Sequence, residues 1–216
     1  KKDLIISIIP ARKGSKSIKN KNIQLLGSHP LLAYSIVLSN LVTKIDRTIV
    51  STNSKKYAKI AQDYGAEVPF MRPESISGDT NTDIEFFKHC INWMEDNEKQ
   101  IPNLIVHLRP TTPLRNPKIV NEAINFMLKN NATEYFSGFR GIRVDKLKEI
   151  KLNDFANKWI IEQQIHFYFI IKKYRVTEIP IPTVYKENQV SKLPPFNYVF
   201  SVLISTFRFS FLKNFF

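Results

Sequence analysis

Leu4-Ile5-Ile6-Ser7-Ile8-Ile9-Pro10-Ala11-Arg12-Lys13-Gly14-Ser15-Lys16-Ser17-Ile18-Lys19-Asn20-Lys21-Asn22 is the stretch on which the reading of this chain turns. Its first six residues are almost continuously apolar. A strand covered on both faces carries that pattern, and strands of parallel sheets are covered on both faces. The next thirteen residues hold five basic side chains, with Gly14 and Ser15 near their centre. A Gly-Ser turn exposes backbone N–H groups, and Arg and Lys add charge-assisted contacts to phosphate oxygens. The physical reading is a polyphosphate-binding loop behind a buried strand; the alternative is a solvated basic turn. The loop is neither a Walker A sequence nor a Gly-x-Gly-x-x-Gly dinucleotide loop.

Outward from this stretch, strands and helices alternate. Pro30 is placed to open a helix running to about Val42, and Arg47–Ser51 reads as a second strand. Ser54 is the expected cap of a helix from Lys55 to Tyr64, closed by Gly65. A helix from about Thr82 to Glu98, a third strand Leu104–Leu108 and a helix from Asn116-Pro117 to about Asn130 follow. This alternation predicts an α/β fold with a doubly wound, mostly parallel, Rossmann-like sheet. Ligands of such sheets sit at the carboxyl ends of the strands.

The chain has 216 residues, 43% of them apolar and 24% charged, which excludes a wholly disordered, collagen-like or disulfide-scaffold protein. Cys90 is the only cysteine, so neither an intrachain disulfide nor a cysteine-rich metal site can form. With no signal-peptide pattern at Lys1–Pro10, a cytoplasmic location is expected. The net charge of +13 favours anionic partners, or else reflects solubility alone. Composition changes near residue 132: residues 1–132 hold 8 aromatics and residues 133–216 hold 18, while net charge is +7 and +6. The expectation is a nucleotide-binding domain over 1–132 and an atypical aromatic-rich segment over 133–216.

The motifs of the front part resemble those of the acylneuraminate cytidylyltransferase (CMP-sialic acid synthetase) family. Ile9-Pro10-Ala11-Arg12-x-Gly14-Ser15-Lys16-x-Ile18-x-x-Lys21-Asn22 is similar to the family signature. Ser51-Thr52-Asn53 with Ala58-x-Ile60-Ala61-x-x-Tyr64-Gly65-Ala66, then Arg72-Pro73-Glu74-x-Ile76-Ser77-x-Asp79, then Arg109-Pro110-Thr111-Thr112-Pro113-Leu114-Arg115 follow in the family's order, covering about residues 4–128. The resemblance implies transfer of CMP from CTP to an acidic 3-deoxy-2-keto sugar, with Mg²⁺ on the phosphates. It implies that Arg12, Lys16 and Lys21 neutralise the triphosphate and act as the catalytic residues. Ala11, Gly14 and Ser15 would cradle it, Asn22 and Arg72 would lie on the cytidine side, and Asp79 would order that loop. Arg109, Thr111, Thr112 and Arg115 would line the sugar side.

This sequence departs from the family in two places. Arg109 stands where the family usually has Gln; a guanidinium brings a fixed charge and a planar fork suited to a carboxylate, or marks a different sugar. Beyond residue 132 the family's Arg-x-Asn-Gly-x-x-Tyr segment and late acidic metal pair are absent, and no Asp-x-Asp occurs in the chain. The metal ligands are thus unidentified and impaired catalysis is the expectation. Ser137-Gly138-Phe139-Arg140, Leu147-x-x-Ile150, Glu162, Glu178-Ile179-Pro180-Ile181-Pro182 and Ser191-Lys192-Leu193 are instead similar to the distal part of family 2 glycosyltransferases. The alternative function is therefore a membrane-associated glycosyltransferase fragment or a non-catalytic binding module.

Phe196, Phe200, Leu203, Phe207 and Phe211 recur at helical spacing beside Arg208 and Lys213. This reads as a final helix packing on the sheet or on a second subunit of a homodimer, or as an interfacial helix on an anionic membrane. His29, His89, His107 and His166 are too scattered for a metal site. Nucleic acid is not an expected partner: aromatic residues are concentrated away from the basic loop, against the interleaving of single-strand binders.

Overall fold

The computed structural model of the chain describes residues 3–15, 18–130, 134–136, 140–149, 168–169 and 172–177. In chain order the elements are β1 (Ile5–Pro10), β2 (Leu25–Leu26), β3 (His29–Pro30), α1 (Leu31–Leu41), β4 (Arg47–Ser51), α2 (Lys55–Asp63), α3 (Asp83–Glu98), β5 (Leu104–His107), α4 (Pro117–Asn130), β6 (Glu134–Phe136), β7 (Arg140–Arg143), α5 (Val144–Glu149) and β8 (Val176–Thr177). One sheet runs β4-β1-β5-β7-β6-β8, and β2 and β3 form a separate hairpin. Parallel pairing joins β1 to both β4 and β5, and β6 to β8, whereas β7 is antiparallel to β5 and β6. The mostly parallel α/β sheet expected from the apolar runs is present.

Alternation along β1 divides the core. Ile5 and Ile9 face a cluster with Leu32 and Ile36 of α1, Tyr57 and Ala61 of α2 and Val120 and Ile124 of α4. Ile6 and Ile8 face a second cluster with Phe87, Ile91 and Met94 of α3 and Leu147 of α5. Between Ile5 and Ile9, Ser7 meets a buried hydroxyl chain: Ser7 Oγ to Ser39 Oγ at 2.6 Å, Ser39 Oγ to Thr48 Oγ1 at 2.7 Å, and Thr48 Oγ1 donating to Asn40 Oδ1 at 2.7 Å. These bonds satisfy polar groups that burial would otherwise penalise.

Local chemistry sets the helix ends. Ser54 Oγ accepts the Tyr57 N–H and caps α2, and Gly65, at φ +86°, follows its end. Glu85 accepts the Thr82 N–H at the start of α3. Arg47, at the start of β4, binds Glu67 and Glu98 at 2.5–3.1 Å, tying the strand to the Glu67 bridge and to the end of α3.

Several boundaries differ from expectation. β1 is displaced by one residue to include Pro10, β5 stops at His107, and α1 begins at Leu31 with Pro30 in the preceding strand. The β2–β3 hairpin, turned through Gly27 at φ +61°, was not expected; two-residue strands are too short to show alternation. The sheet also crosses the expected boundary at residue 132, since Leu104–His107 pairs with Arg140–Arg143. Lys16, Ser137-Gly138-Phe139, Glu162, His166, Glu178–Pro182, Ser191-Lys192-Leu193 and the Phe196–Phe211 helix lie outside the described residues. Among the described residues, no helix is long and apolar enough to cross a membrane.

Candidate active site

A cleft of about 280 Å³ opens at the carboxyl ends of β1 and β5. Three loops build it: the turn after β1, the stretch from Arg72 to Asp83 leading into α3, and the turn after β5. Pro10, at the end of β1, lines it too. Of the residues singled out in the sequence, Arg12, Ser15, Lys21, Asn22, Arg72, Asp79, Arg109 and Thr111 line this cleft.

The β1 loop is held open by its own bonds. Ala11 is fully buried and donates its N–H to Ser51 O at 2.9 Å, so it anchors the loop and does not line the cleft. Gly14, also outside the lining, has φ +83°, a left-handed conformation that strains other residues. Asn22 donates from Nδ2 to Arg12 O at 3.0 Å, and Asn53 Oδ1 accepts the Lys13 N–H at 2.9 Å. Arg12 reaches across the cleft and forms an ion pair with Asp79.

Arg72 forms a buried wall. It is 5% exposed, donates to Ser51 Oγ at 2.9 Å and Ser51 O at 2.7 Å, and lies 4.7 Å over the Phe86 ring. Burial pulls its guanidinium down to about 10, while Asp83 nearby acts in the opposite direction. The loop that follows is ordered by Asn81. Its Oδ1 accepts the Gly78 N–H at 2.6 Å, and its Nδ2 donates to Ser75 O and Glu85 Oε1 at 3.1 and 2.9 Å. Asp79, expected to order that loop, instead faces Arg12.

The β5 loop turns on Arg115. Its Nη2 donates to Arg109 O at 2.9 Å, and Ser35 Oγ donates to the same carbonyl at 3.3 Å. Burial, with the Arg109 charge, lowers Arg115 to about 10. Arg115 therefore clips the loop from behind, and Thr112 is likewise outside the cleft lining, its N–H bonded to Arg109 O at 3.3 Å. Arg109 pairs with Asp83, whose Oδ2 lies 3.6 Å from Nδ1 of the buried His107.

Asp83, Asn81 and Phe86 line the cleft without having been singled out in the sequence. The helix expected from about Thr82 placed Asp83 near its start, but nothing local points to Arg109, 26 residues on. For Phe86 no local signal exists beyond helical periodicity.

Among the described residues no three His, Cys, Asp or Glu side chains converge as metal ligands. Asp79 and Asp83 are each committed to an arginine. These donors do not form a Mg²⁺ site of their own.

A cationic loop after the first strand of a parallel sheet, faced by further cations from the Arg72 and β5 loops, makes a cleft suited to an anionic ligand. The cytidylyltransferase family model matches residues 6–215, and the chain belongs to that family. The match bears out the resemblance read from Ile9–Asn22 and runs on through the compositional change near residue 132; it lends nothing to the glycosyltransferase likeness. The chain is 39% identical over 120 residues to an N-acylneuraminate cytidylyltransferase of Escherichia coli O18:K1:H7, covering 56% of this chain and 27% of that protein. It is 34% identical over 120 residues to a CMP-N,N'-diacetyllegionaminic acid synthase of Legionella pneumophila, covering 56% and 51%. It is 31% identical over 132 residues to a pseudaminic acid cytidylyltransferase of Campylobacter jejuni, covering 61% and 56%. The chain spans about half the length, or less, of these curated relatives. In fold it resembles a CMP:2-keto-3-deoxy-manno-octonic acid synthetase solved with CTP, at a TM-score of 0.63 and 14% identity, covering 94% of this chain and 99% of that one.

Proposed function

We propose that the chain activates a nonulosonic (3-deoxy-2-keto acid) sugar with CTP, releasing pyrophosphate and a CMP-sugar. The observation that carries this reading is the convergence of Arg12, Ser15 and Lys21 with Arg72, Arg109 and Thr111 on one cleft at the strand ends. The relatives' substrates, which are sialic, legionaminic and pseudaminic acids, supply the sugar class.

In this reading Mg·CTP enters as the substrate, with its triphosphate on the β1 loop. Arg12 and Lys21 neutralise the charge that moves onto the leaving pyrophosphate, and Ser15 with neighbouring N–H groups holds it. Lys16 belongs to the same loop in sequence. Asn22 and Arg72 lie beside the cytidine, and Arg109 and Thr111 beside the sugar. The anomeric hydroxyl oxygen bonds to the α-phosphorus, the bond from that phosphorus to the bridging oxygen breaks, and the hydroxyl proton leaves to water. Holding the two reactants in line supplies the main rate effect. Cys90, buried and unpaired, suits a reducing cytoplasm.

The test is pyrophosphate release from the full chain given Mg·CTP with each of the three acids. Release that requires both reactants supports the reading; no release with any acid contradicts it.

A further inference from the structure

The cleft holds two arginine–carboxylate pairs, and both carboxylates come from the short segment entering α3. Asp79 meets Arg12 of the β1 loop, and Asp83 meets Arg109 of the β5 loop. The second pair is built more rigidly. Arg109 O is gripped by Arg115 and Ser35, and the guanidinium is held by Asp83, which is itself backed by His107, packed edge-on against Phe86 and Phe87. The Arg109 side chain is nevertheless 43% exposed and lines the cleft. A planar guanidinium fixed along one direction presents its fork in a set orientation, the geometry suited to a carboxylate.

We infer that Arg109, oriented by Asp83, is the specificity-determining contact for the carboxylate of the acceptor sugar. This inference rests on the cytidylyltransferase reading above. In a 2-keto acid the anomeric carbon carries the carboxylate directly, so an arginine that fixes the carboxylate also aims the attacking hydroxyl. The β1 loop carries its own cations, Arg12 and Lys21, for the triphosphate, and Arg109 stands on a separate loop, after β5. Asp83 acts through Arg109 and is a positioning residue.

The test uses the full chain loaded with CDP, which fills the nucleotide side without supplying a triphosphate. Sialic, legionaminic and pseudaminic acids are titrated in, each beside its methyl ester. At least one acid binds about tenfold or more tighter than its ester, as a charge-assisted contact implies. In Arg109→Gln that preference narrows to about threefold or less, and in Asp83→Asn it narrows as well; Asp83→Glu restores part of it. Equal binding of acids and esters, binding of no acid to the CDP-loaded chain, or a preference that survives Arg109→Gln overturns the inference. Loss of CDP binding in Arg109→Gln overturns it too, by placing Arg109 on the nucleotide side. Failure of the unsubstituted chain to bind CDP removes the nucleotide reading itself, a result distinct from those four.

Discussion

Arg12 and Asp79, 67 positions apart in the chain, form an ion pair across the cleft at the strand ends. Each side chain is about one third exposed, at 31% and 34%, so the pair is within reach of an incoming anion. In the proposed function, Asp79 competes with the triphosphate for Arg12. Arg12→Ala weakens CTP binding at least about tenfold, or about 1.4 kcal/mol, and Asp79→Asn strengthens it about threefold. Calorimetric titrations at one fixed salt concentration check both. Weaker binding in both variants contradicts the competition.

The buried hydroxyl chain makes a prediction about stability alone. Ser39→Ala removes the partner of Ser7 and one partner of Thr48, both buried, on the paired strands β1 and β4. Unfolding in urea shows a loss of about 1–3 kcal/mol. A loss below about 0.5 kcal/mol means that the chain of hydroxyls contributes nothing net.

Cys90 gives a pH dependence. Burial raises its thiol from the ordinary 9.0 to about 12. The folded state keeps the proton over a range in which the unfolded state releases it. The corresponding stability is fully present below about pH 9 and falls away as pH rises towards 12. Thermal melts of the native chain and of Cys90→Ala, compared from pH 8 to 10.5, diverge in slope, the native chain losing more. Parallel slopes contradict the assignment. The same burial makes the thiol unreactive to alkylation until the chain unfolds.

The family resemblance placed Arg115 on the sugar side of the site. The structure turns its guanidinium onto the Arg109 carbonyl. Arg115→Met frees the β5 loop and weakens binding of the acidic sugar to the CDP-loaded chain by about tenfold or more; Arg115→Lys recovers less than half of that loss in free energy. A variant with unchanged sugar binding shows that the loop holds its shape without the clip.

How much was legible depended on whether a feature was local. β1 and β5 were read to within one residue because strands buried on both faces carry nearly continuous apolar runs, and β4 because its β-branched Thr48-Ile49-Val50 centre favours a strand. Ser54 and Gly65 marked α2 because capping is a contact between near neighbours. The phosphate-type loop was legible for the same reason: its cations, its glycine and its strand are consecutive. Partners far apart in sequence were not. Nothing near Asp83 points to Arg109, and nothing near Asp79 points to Arg12. The antiparallel insertion of β7 was also invisible, since a four-residue strand containing Gly141 and two arginines shows no period. Beyond it, the aromatic-rich composition has no spacing that selects one partner over another.

The central claim is that the β1 loop binds the triphosphate of CTP. Its most direct test is a calorimetric titration of the purified chain with Mg·CTP, with Mg·UTP and GDP-mannose as controls. The account predicts saturable one-to-one binding of CTP, at least about tenfold tighter than either control. A folded chain that binds none of them, or binds all three alike, contradicts it.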